Sequence, residues 1–371
     1  MKKVILSVTN DLATDQRVNR VCGTLVKMGF EVLLVGRKRR SSLPLRSRPY
    51  RMHRMRLLFE KGPLFYGEYN LRLFLFLLFH KADLLISNDL DTLPGSWLAA
   101  VCKSVPVAHD CHEYFRGMPE LNNRKGTLKV WKWFEDKIFP RLKTIYAVNA
   151  SIARIYEQEY HVAVIPIRNV PLRKDHSHME RPQIDGINEN DQIILYQGAV
   201  NVDRGLEEVI LAMKFLKSNA KLLIIGTGDV FENLKQMIAR ENLSDKVFLT
   251  GSIPFEDLFP YTSMATIGIS IEKDVSLNYH YCLPNKLLDY IQAGIPVLVS
   301  PLPEMEAIIN KYNIGRMIGS HEPQELARNI DEMLSDPEKL HLYKENTGPA
   351  ASELCWENEE KHLMRIFEQY V

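Results

Sequence analysis

Four groups of residues pair chemically useful side chains with a spacing that brings them together. The first is Tyr196-Gln197-Gly198-Ala199, followed by Asp203-Arg204-Gly205-Leu206. A glycine just past an apolar run lets a ligand approach the backbone. A helix start behind it offers unpaired N–H groups, and an arginine fork suits phosphate; an ordinary turn with a solvated arginine reads the same way. Gly226-Thr227-Gly228 repeats the arrangement after Leu222–Ile225. Phe231 stands where a dinucleotide fingerprint needs its third glycine, and no GxxxxGK[ST] run occurs, so a nicotinamide enzyme and a P-loop ATPase are disfavoured. The third group is LPNKLLDYIQAGIPVLVS, Leu283 to Ser300. Pro284 suits a first helical turn, which places Asn285 and Lys286 at the anion-attracting end and Asp289 one turn on. There Asp289 can accept hydrogen bonds from a ribose diol and Lys286 can meet a phosphate. A plain surface Lys–Asp pair, worth ~0.5 kcal/mol, fits equally well. The fourth group is Asp110, His112 and Glu113 after the run Val105–Ala108, with Asn10, Asp15 and Arg17 in an earlier loop and Asn88, Asp89 and Asp91 in another. His109 reads as structural. Asp91 serves equally as a cap for a helix opening at Thr92.

These groups sit at the ends of a repeated strand–helix alternation. Strand patterns fall at Lys3–Val8, Glu31–Val35, Met55–Phe59, Leu84–Ser87, Val105–Ala108, Thr144–Val148 and Val162–Pro166. Helical patterns open at Asp11 and run over 67–80, 92–103, 127–142 and 150–159. A polar stretch with prolines, 171–190, reads as a linker. The alternation then restarts, with strands at 192–196, 221–225, 246–250, 267–271 and 296–299, and helices at 205–217, 229–242, 254–261, 284–293 and 303–310. An amphipathic helix, Ser352–Tyr370, closes the chain. Buried alternating elements imply parallel sheets with helices on both faces. At 371 residues the chain is about twice the usual single-domain size. The expected division is 1–170, the linker 171–190, a second domain 191–350, and a helix 351–371 packed back on the first domain. Two such α/β domains in tandem bind ligands at the carboxyl ends of their strands, in a shared cleft.

Charged residues at 25% and hydrophobic ones at 46% are ordinary globular values, and a net charge of +1 excludes a chain that coats nucleic acid by being basic throughout. The total conceals a split: residues 1–170 hold 28 basic and 15 acidic side chains, and residues 171–371 hold 19 and 31. Five scattered cysteines show no CxxC pair, which argues for reduced thiols and against a disulfide framework or zinc site. The apolar run after the basic start ends at Leu6, too short for a signal peptide, and Leu73–Phe79 is too short to span a bilayer. A cytoplasmic protein is expected.

In order and content, QGAV…RGL, IIGTG, KVFLTGSIP and LPNKLLDYIQAGIPVLVS resemble the nucleotide-sugar-binding domain of retaining glycosyltransferases of the GT-B fold, family 4. VTNDLATDQRVNRVCGTLVKMGFEVLLVGR and PVAHDCHEYF look like the acceptor domain of that family, and RNVP, Arg168 to Pro171, like the exit into its linker. The resemblance covers essentially the whole chain. It implies two Rossmann-like domains and transfer of a sugar from a nucleotide diphosphate sugar, UDP- or GDP-linked, to a hydroxyl of a glycan or lipid-linked acceptor with retention, in cell-surface polysaccharide synthesis. Gly198, with Gly226 and Gly228, would admit the donor diphosphate; Arg204 stands where the family has a diphosphate-binding lysine. Ser252 and Ile253 would contact the base, Asn285 and Lys286 the donor, and Asp289 the ribose. His112 matches a histidine that contacts the donor sugar or its phosphate, forming with Asp110 and Glu113 the expected catalytic group. Asn10, Asp15, Arg17 and Asp89 would face the acceptor. The architecture requires no DxD pair, so no essential metal or cofactor beyond the donor co-substrate is expected. Tyr281 replaces the first glutamate of the family's E-x7-E motif, and Ala199 replaces a frequent arginine. A sugar-nucleotide epimerase of the same fold and a non-catalytic sugar-nucleotide-binding protein are the alternatives.

Arg37 to Arg56 carries nine Lys or Arg and no acid, and an aromatic-rich helix pattern follows to Phe79. Residues 37–79 read either as a solvated loop beside a core helix or as a patch for an anionic membrane surface, peripheral on the inner face. No RNA-binding pattern accompanies them.

Overall fold

The computed structural model describes residues 1–371 except 14, 41, 43, 119, 120, 122, 123 and 175–179. Part of the expected linker and two positions of the basic run therefore lie outside the described residues. The chain forms two compact units: Met1–Asn169 with Ser276–Asn278 and Trp356–Val371, and Val170–Val275 with Tyr279–Cys355.

The first unit runs β1 (Lys3–Ser7), α1 (Gln16–Lys27), β2 (Glu31–Lys38), β3 (Arg51–Arg56), α2 (Gly62–Phe79), β4 (Leu84–Asn88), α3 (Leu93–Lys103), β5 (Val107–Cys111), α4 (Lys125–Ile138), β6 (Thr144–Ala147), α5 (Ala150–Tyr160) and β7 (Ile165–Pro166). Its seven strands are all parallel, in the order β3-β2-β1-β4-β5-β6-β7. β1 and β4 are near-continuous apolar runs because helices cover both faces of a parallel sheet.

The second unit runs β8 (Ile193–Gln197), α6 (Leu206–Ala212), β9 (Lys221–Ile225), α7 (Phe231–Arg240), β10 (Val247–Gly251), α8 (Phe255–Ser263), β11 (Ile267–Ser270), α9 (Leu277–His280), α10 (Asn285–Gln292), β12 (Val297–Val299), α11 (Pro303–Tyr312), β13 (Gly315–Met317), α12 (Pro323–Leu334) and α13 (Pro337–Glu353). α9 straddles the boundary between the units. The sheet is again parallel, ordered β10-β9-β8-β11-β12-β13. The closing helix α14 (Trp356–Phe367) belongs to the first unit. There the Trp356 indole donates to Thr24 Oγ1 at 3.3 Å, and Glu359 pairs with Arg168 at 2.5 Å.

The fold is the expected pair of parallel α/β domains, with local corrections. β3 lies at Arg51–Arg56 rather than 55–59, in register with β2 from Leu33↔Arg51 to Lys38↔Arg56. An edge strand leaves polar side chains in water. The apolar Leu58 and Phe59 instead sit in the turn that follows, where the Glu68 carboxylate accepts both their N–H groups. β5 is shifted to Val107–Cys111, which puts Asp110 inside the strand opposite Asn88 and Tyr146. The helix expected over 205–217 ends at Ala212, and the one expected over 352–370 is shorter because residues 337–353 already form α13. β13, α12 and α13 fill a stretch that the sequence pattern leaves unassigned; Gly348 and Pro349 sit inside α13. Among the described residues, no helix is long and apolar enough to cross a membrane.

Candidate active site

In each sheet the strand order reverses once, between β1 and β4 and between β8 and β11. Loops leaving adjacent strands there diverge to opposite faces and leave a crevice, the usual ligand position of an open parallel sheet. The residues of interest cluster at these two points.

In the first unit Arg17, in the first turn of α1, is buried against Asp110 of β5. Its Nη2 lies 2.7 Å from Asp110 Oδ1 and its Nε 2.9 Å from Oδ2, while Nη1 donates to Ile167 O at 2.7 Å. Burial opposes ionisation of Asp110, but Arg17 and then His112 override it and hold the carboxyl down at about 2. His112 places Nε2 at 3.1 Å from Asp110 Oδ2 and Nδ1 at 3.4 Å from Asp89 Oδ2, and its backbone N–H donates to Asp89 Oδ1 at 2.8 Å. Both ring nitrogens thus face carboxylates. Burial disfavours the imidazolium, yet Asp89 and Asp110 more than offset it and raise the ring well above the ordinary histidine range. Burial pushes Asp89 upward against the pull of His112. Of these two opposed tendencies the protonated ring is the firmer, because Arg17 fixes Asp110 as a carboxylate beside it. Asp89 holds this place with φ +60°, a left-handed conformation that non-glycine residues rarely adopt.

The neighbouring residues divide. Asp15 caps α1, accepting from Val18 N at 3.1 Å, and Asn10 donates to its other oxygen at 3.2 Å. Asp91 does not cap α3, whose start carries no side-chain cap. It accepts from Thr9 Oγ1 at 2.6 Å, and its Oδ1 is buried without a partner among the described residues. Burial pushes its carboxyl up to about 7, with half-buried Glu113 adding to the push. His109 is buried between Ser87 Oγ, 2.7 Å away, and the edge of Phe139.

In the second unit the centre is a carboxylate that sequence reasoning missed. Glu272, just past β11 and fully buried, accepts from Lys286 Nζ at 2.6 Å and from Ser270 Oγ at 2.8 Å. Arg204 Nη1 lies 3.6 Å from the same Oε1 that binds Lys286. Burial opposes the charge of Glu272, but Lys286 and Arg204 lower its carboxyl; burial opposes Lys286 likewise, and Glu272 raises it. Aromatic faces complete the cage: Lys286 Nζ is 4.0 Å from the Tyr196 ring centroid, and the Arg204 guanidinium 4.6 Å from that of Tyr279. Two cations share one carboxylate, and Arg204 Nε has no partner among the described residues, so the cluster carries net positive charge and an unused donor. An acidic residue closing an apolar strand was the available signal for Glu272; Asp89 closes β4 in the same way.

Asp289 does not pair with Lys286. It accepts from Gln197 Nε2 at 3.2 Å, and Gln197 is itself fixed by Thr262 Oγ1 at 2.7 Å. Asn285 is exposed at the start of α10. Gly198 has φ +123° and Gly226 φ +144°; a Cβ on Gly226 would overlap Gly198 O, and one on Gly228 would overlap Val200 O. Gly226 and Gly228 therefore let the turns after β8 and β9 pack on one another. Ser252, exposed after β10, shares a hydrogen bond with Thr227 Oγ1 at 2.8 Å, and half-buried Ile253 follows it. Of the basic run, Arg37 stacks on Phe65 at 4.4 Å, Arg48 bonds Tyr50 OH at 3.1 Å and Arg54 bonds Asp11 at 2.7 Å, while Lys38, Arg39 and Arg40 are exposed.

Similarity to known proteins follows the same division. A family model described as Glycosyltransferase Family 4 matches residues 15–171, and one described as Glycosyl transferases group 1 matches residues 178–348. An uncharacterized glycosyltransferase of Methanocaldococcus jannaschii is 26% identical over 256 residues, 64% of this chain and 63% of that protein, so the match spans somewhat less than two thirds of the relative. Sucrose-phosphate synthase from Thermosynechococcus elongatus superposes with a TM-score of 0.77 over 100% of this chain and 99% of that one, at 17% identity. Anabaena HepE, solved in complex with UDP and glucose, also gives 0.77, over 100% of both chains at 12% identity. At such identities these structural likenesses are of fold. With one family model over each half, the chain belongs to the family-4 glycosyltransferases, the glycosyl transferases group 1.

Proposed function

We propose that the protein transfers a sugar from a nucleotide diphosphate sugar to a hydroxyl of a glycan or lipid-linked acceptor, with retention at the anomeric carbon. The observation that carries this reading is the Arg204–Glu272–Lys286 cluster at the switch point of the second sheet, with Gly198 bare of a side chain beside it and Asp289 one helical turn past Lys286. Breaking a glycosyl–phosphate bond leaves a diphosphate whose charge must be stabilised where it develops. A caged, preorganised pair of cations does this without reorganising water. Glu272 keeps both cations placed while the site is empty. An incoming diphosphate offers them oxygens of the same kind, and the unused Arg204 Nε is a donor that Glu272 does not occupy. In this reading the protein's own cations, rather than a metal ion, meet the leaving group. In the same reading Asp289 accepts from the ribose diol, which its position one helical turn past Lys286 supports. HepE, of the same fold, is described with UDP, which favours a UDP-sugar as the first donor to try.

His112, protonated between Asp89 and Asp110, is a fixed hydrogen-bond donor rather than a base. Its role in this scheme is to bind a donor-sugar oxygen or phosphate. The test is to follow UDP-hexoses and GDP-hexoses by proton NMR with and without simple sugar and lipid-linked acceptors. Transfer that needs the acceptor and keeps the donor's anomeric configuration is the expected result. Conversion of the donor with no acceptor present indicates the epimerase instead.

A further inference from the structure

The first unit carries an apolar groove of about 320 Å³ between α2, α3 and α4, lined by Leu71, Phe74, Trp97, Leu98 and Phe134 and edged by Trp133. Leu71 is 59% exposed, Trp133 56% and Leu98 44%, with Val130 of α4 at 54% beside them. Large side chains left in water this close together mark a surface that meets something apolar. The one amide at the groove, Asn70, is spent inside the fold: its Nδ2 donates to Tyr66 O and Asp91 O, and its Oδ1 accepts from Gly95 N. The groove therefore offers little to hydrogen-bond a sugar or a nucleotide.

Charge tells what covers it. Residues 124–141 hold six cations, Arg124, Lys125, Lys129, Lys132, Lys137 and Arg141. Their one exposed carboxylate is Asp136, bound by Lys132 at 2.7 Å. Glu68 on α2 is likewise neutralised, by Arg72 at 2.8 Å and by two backbone N–H groups. Lys125, Lys129 and Lys137 are exposed and have no acidic partner among the described residues. A tryptophan and branched apolar side chains, with Lys137 at the groove and the unpaired Lys125 and Lys129 further along the same helix, match the interface of an anionic bilayer: the apolar side chains enter the headgroup layer and the lysines meet its phosphates.

We propose that the α2–α3–α4 face is the membrane-docking surface of this protein, with an anionic lipid bilayer as its partner. The anchor is this face rather than the basic run 37–56, which keeps six exposed cations but holds Arg37, Arg48 and Arg54 within the fold. The inference extends the reading of a lipid-linked acceptor but is tested without turnover, so an inactive protein still reports on it. The full chain is sedimented with phosphatidylcholine vesicles containing none or a third phosphatidylglycerol, at low and high salt. Three variants are compared: Trp133→Ser, Lys125→Glu with Lys129→Glu and Lys137→Glu, and Lys38→Glu with Arg39→Glu and Arg40→Glu. All positions are exposed, and melting curves check that each variant is folded. We expect binding only to anionic vesicles, weakened at least about tenfold by the α4 charge reversals, since each cation near such a surface contributes several-fold. Trp133→Ser weakens it at both salt concentrations, and the 38–40 reversals weaken it less. Indifference to anionic lipid overturns the proposal, as does a larger loss from the 38–40 variant. So does an oligomer that Trp133→Ser disperses, which would make a second copy the occupant.

Discussion

At the scale of single residues, the site is held by shared charges rather than by isolated pairs. Glu272 binds the buried Lys286 and the half-buried Arg204, so its removal leaves charge without compensation. Glu272→Gln should cost about 3 kcal/mol of stability, the usual penalty for orphaning a buried ionic partner. If a diphosphate takes over its place, UDP should raise the melting temperature of the variant by more than it raises that of the wild type. An equal rise in thermal shift would speak against that exchange. His112 gives a pH test. Its folded-state value is raised, so its stabilisation is fully present below its unfolded value of about 6.5 and is lost as pH rises toward the folded one. Urea unfolding of the wild type should therefore lose up to about 1.4 kcal/mol per pH unit above neutrality from this group, a slope that His112→Gln should flatten. A slope unchanged by that substitution would remove His112 as its source. Lys286, Asp289 and His112 stand out as candidates in the sequence because each lies in a stretch that resembles a family motif. Glu272 was not, because its partners are 14 and 68 residues away along the chain and nothing local marks the pairing.

At the scale of elements, both sheets were legible because their strands are buried on two faces and read as apolar runs. β3 was misplaced because an edge strand follows its neighbour's register rather than its own hydrophobicity. The turns after β8 and β9 carry a stronger constraint than a phosphate loop would impose, since one backbone lies directly on the other. Gly226→Ala would put a Cβ into Gly198 O at a φ of +144°, and should cost at least about 3 kcal/mol. Gly23→Ala in the middle of α1, with nothing within 4 Å of the new methyl, should instead stabilise by about 0.5–1 kcal/mol. Chemical denaturation of the two variants separates these signs. A neutral Gly226→Ala would mean that the two turns are not packed as described.

At the scale of the whole molecule, the near-neutral charge resolves into a basic first unit and an acidic second one, and the last helix returns to the first. Trp356, 2% exposed, packs on Arg20 and donates to Thr24, both on α1. Trp356→Ala should cost about 3–5 kcal/mol, and hydrogen exchange should quicken in β1–β7 while β8–β13 stay protected. Equal quickening in both sheets would show that the units unfold as one. The basic balance of the first unit reaches water partly through α4, while the acidic second unit keeps Lys286 and Arg204 beside Glu272 at the switch point. The proposed diphosphate site at this switch point is tested by calorimetric titration of the full chain with UDP-glucose and the matching GDP-sugar. One of these donors should bind the wild type, and Arg204→Ala, Lys286→Ala and Asp289→Ala should each weaken its binding at least about tenfold, or 1.4 kcal/mol. Affinity that is the same in the wild type and all three variants would contradict that site.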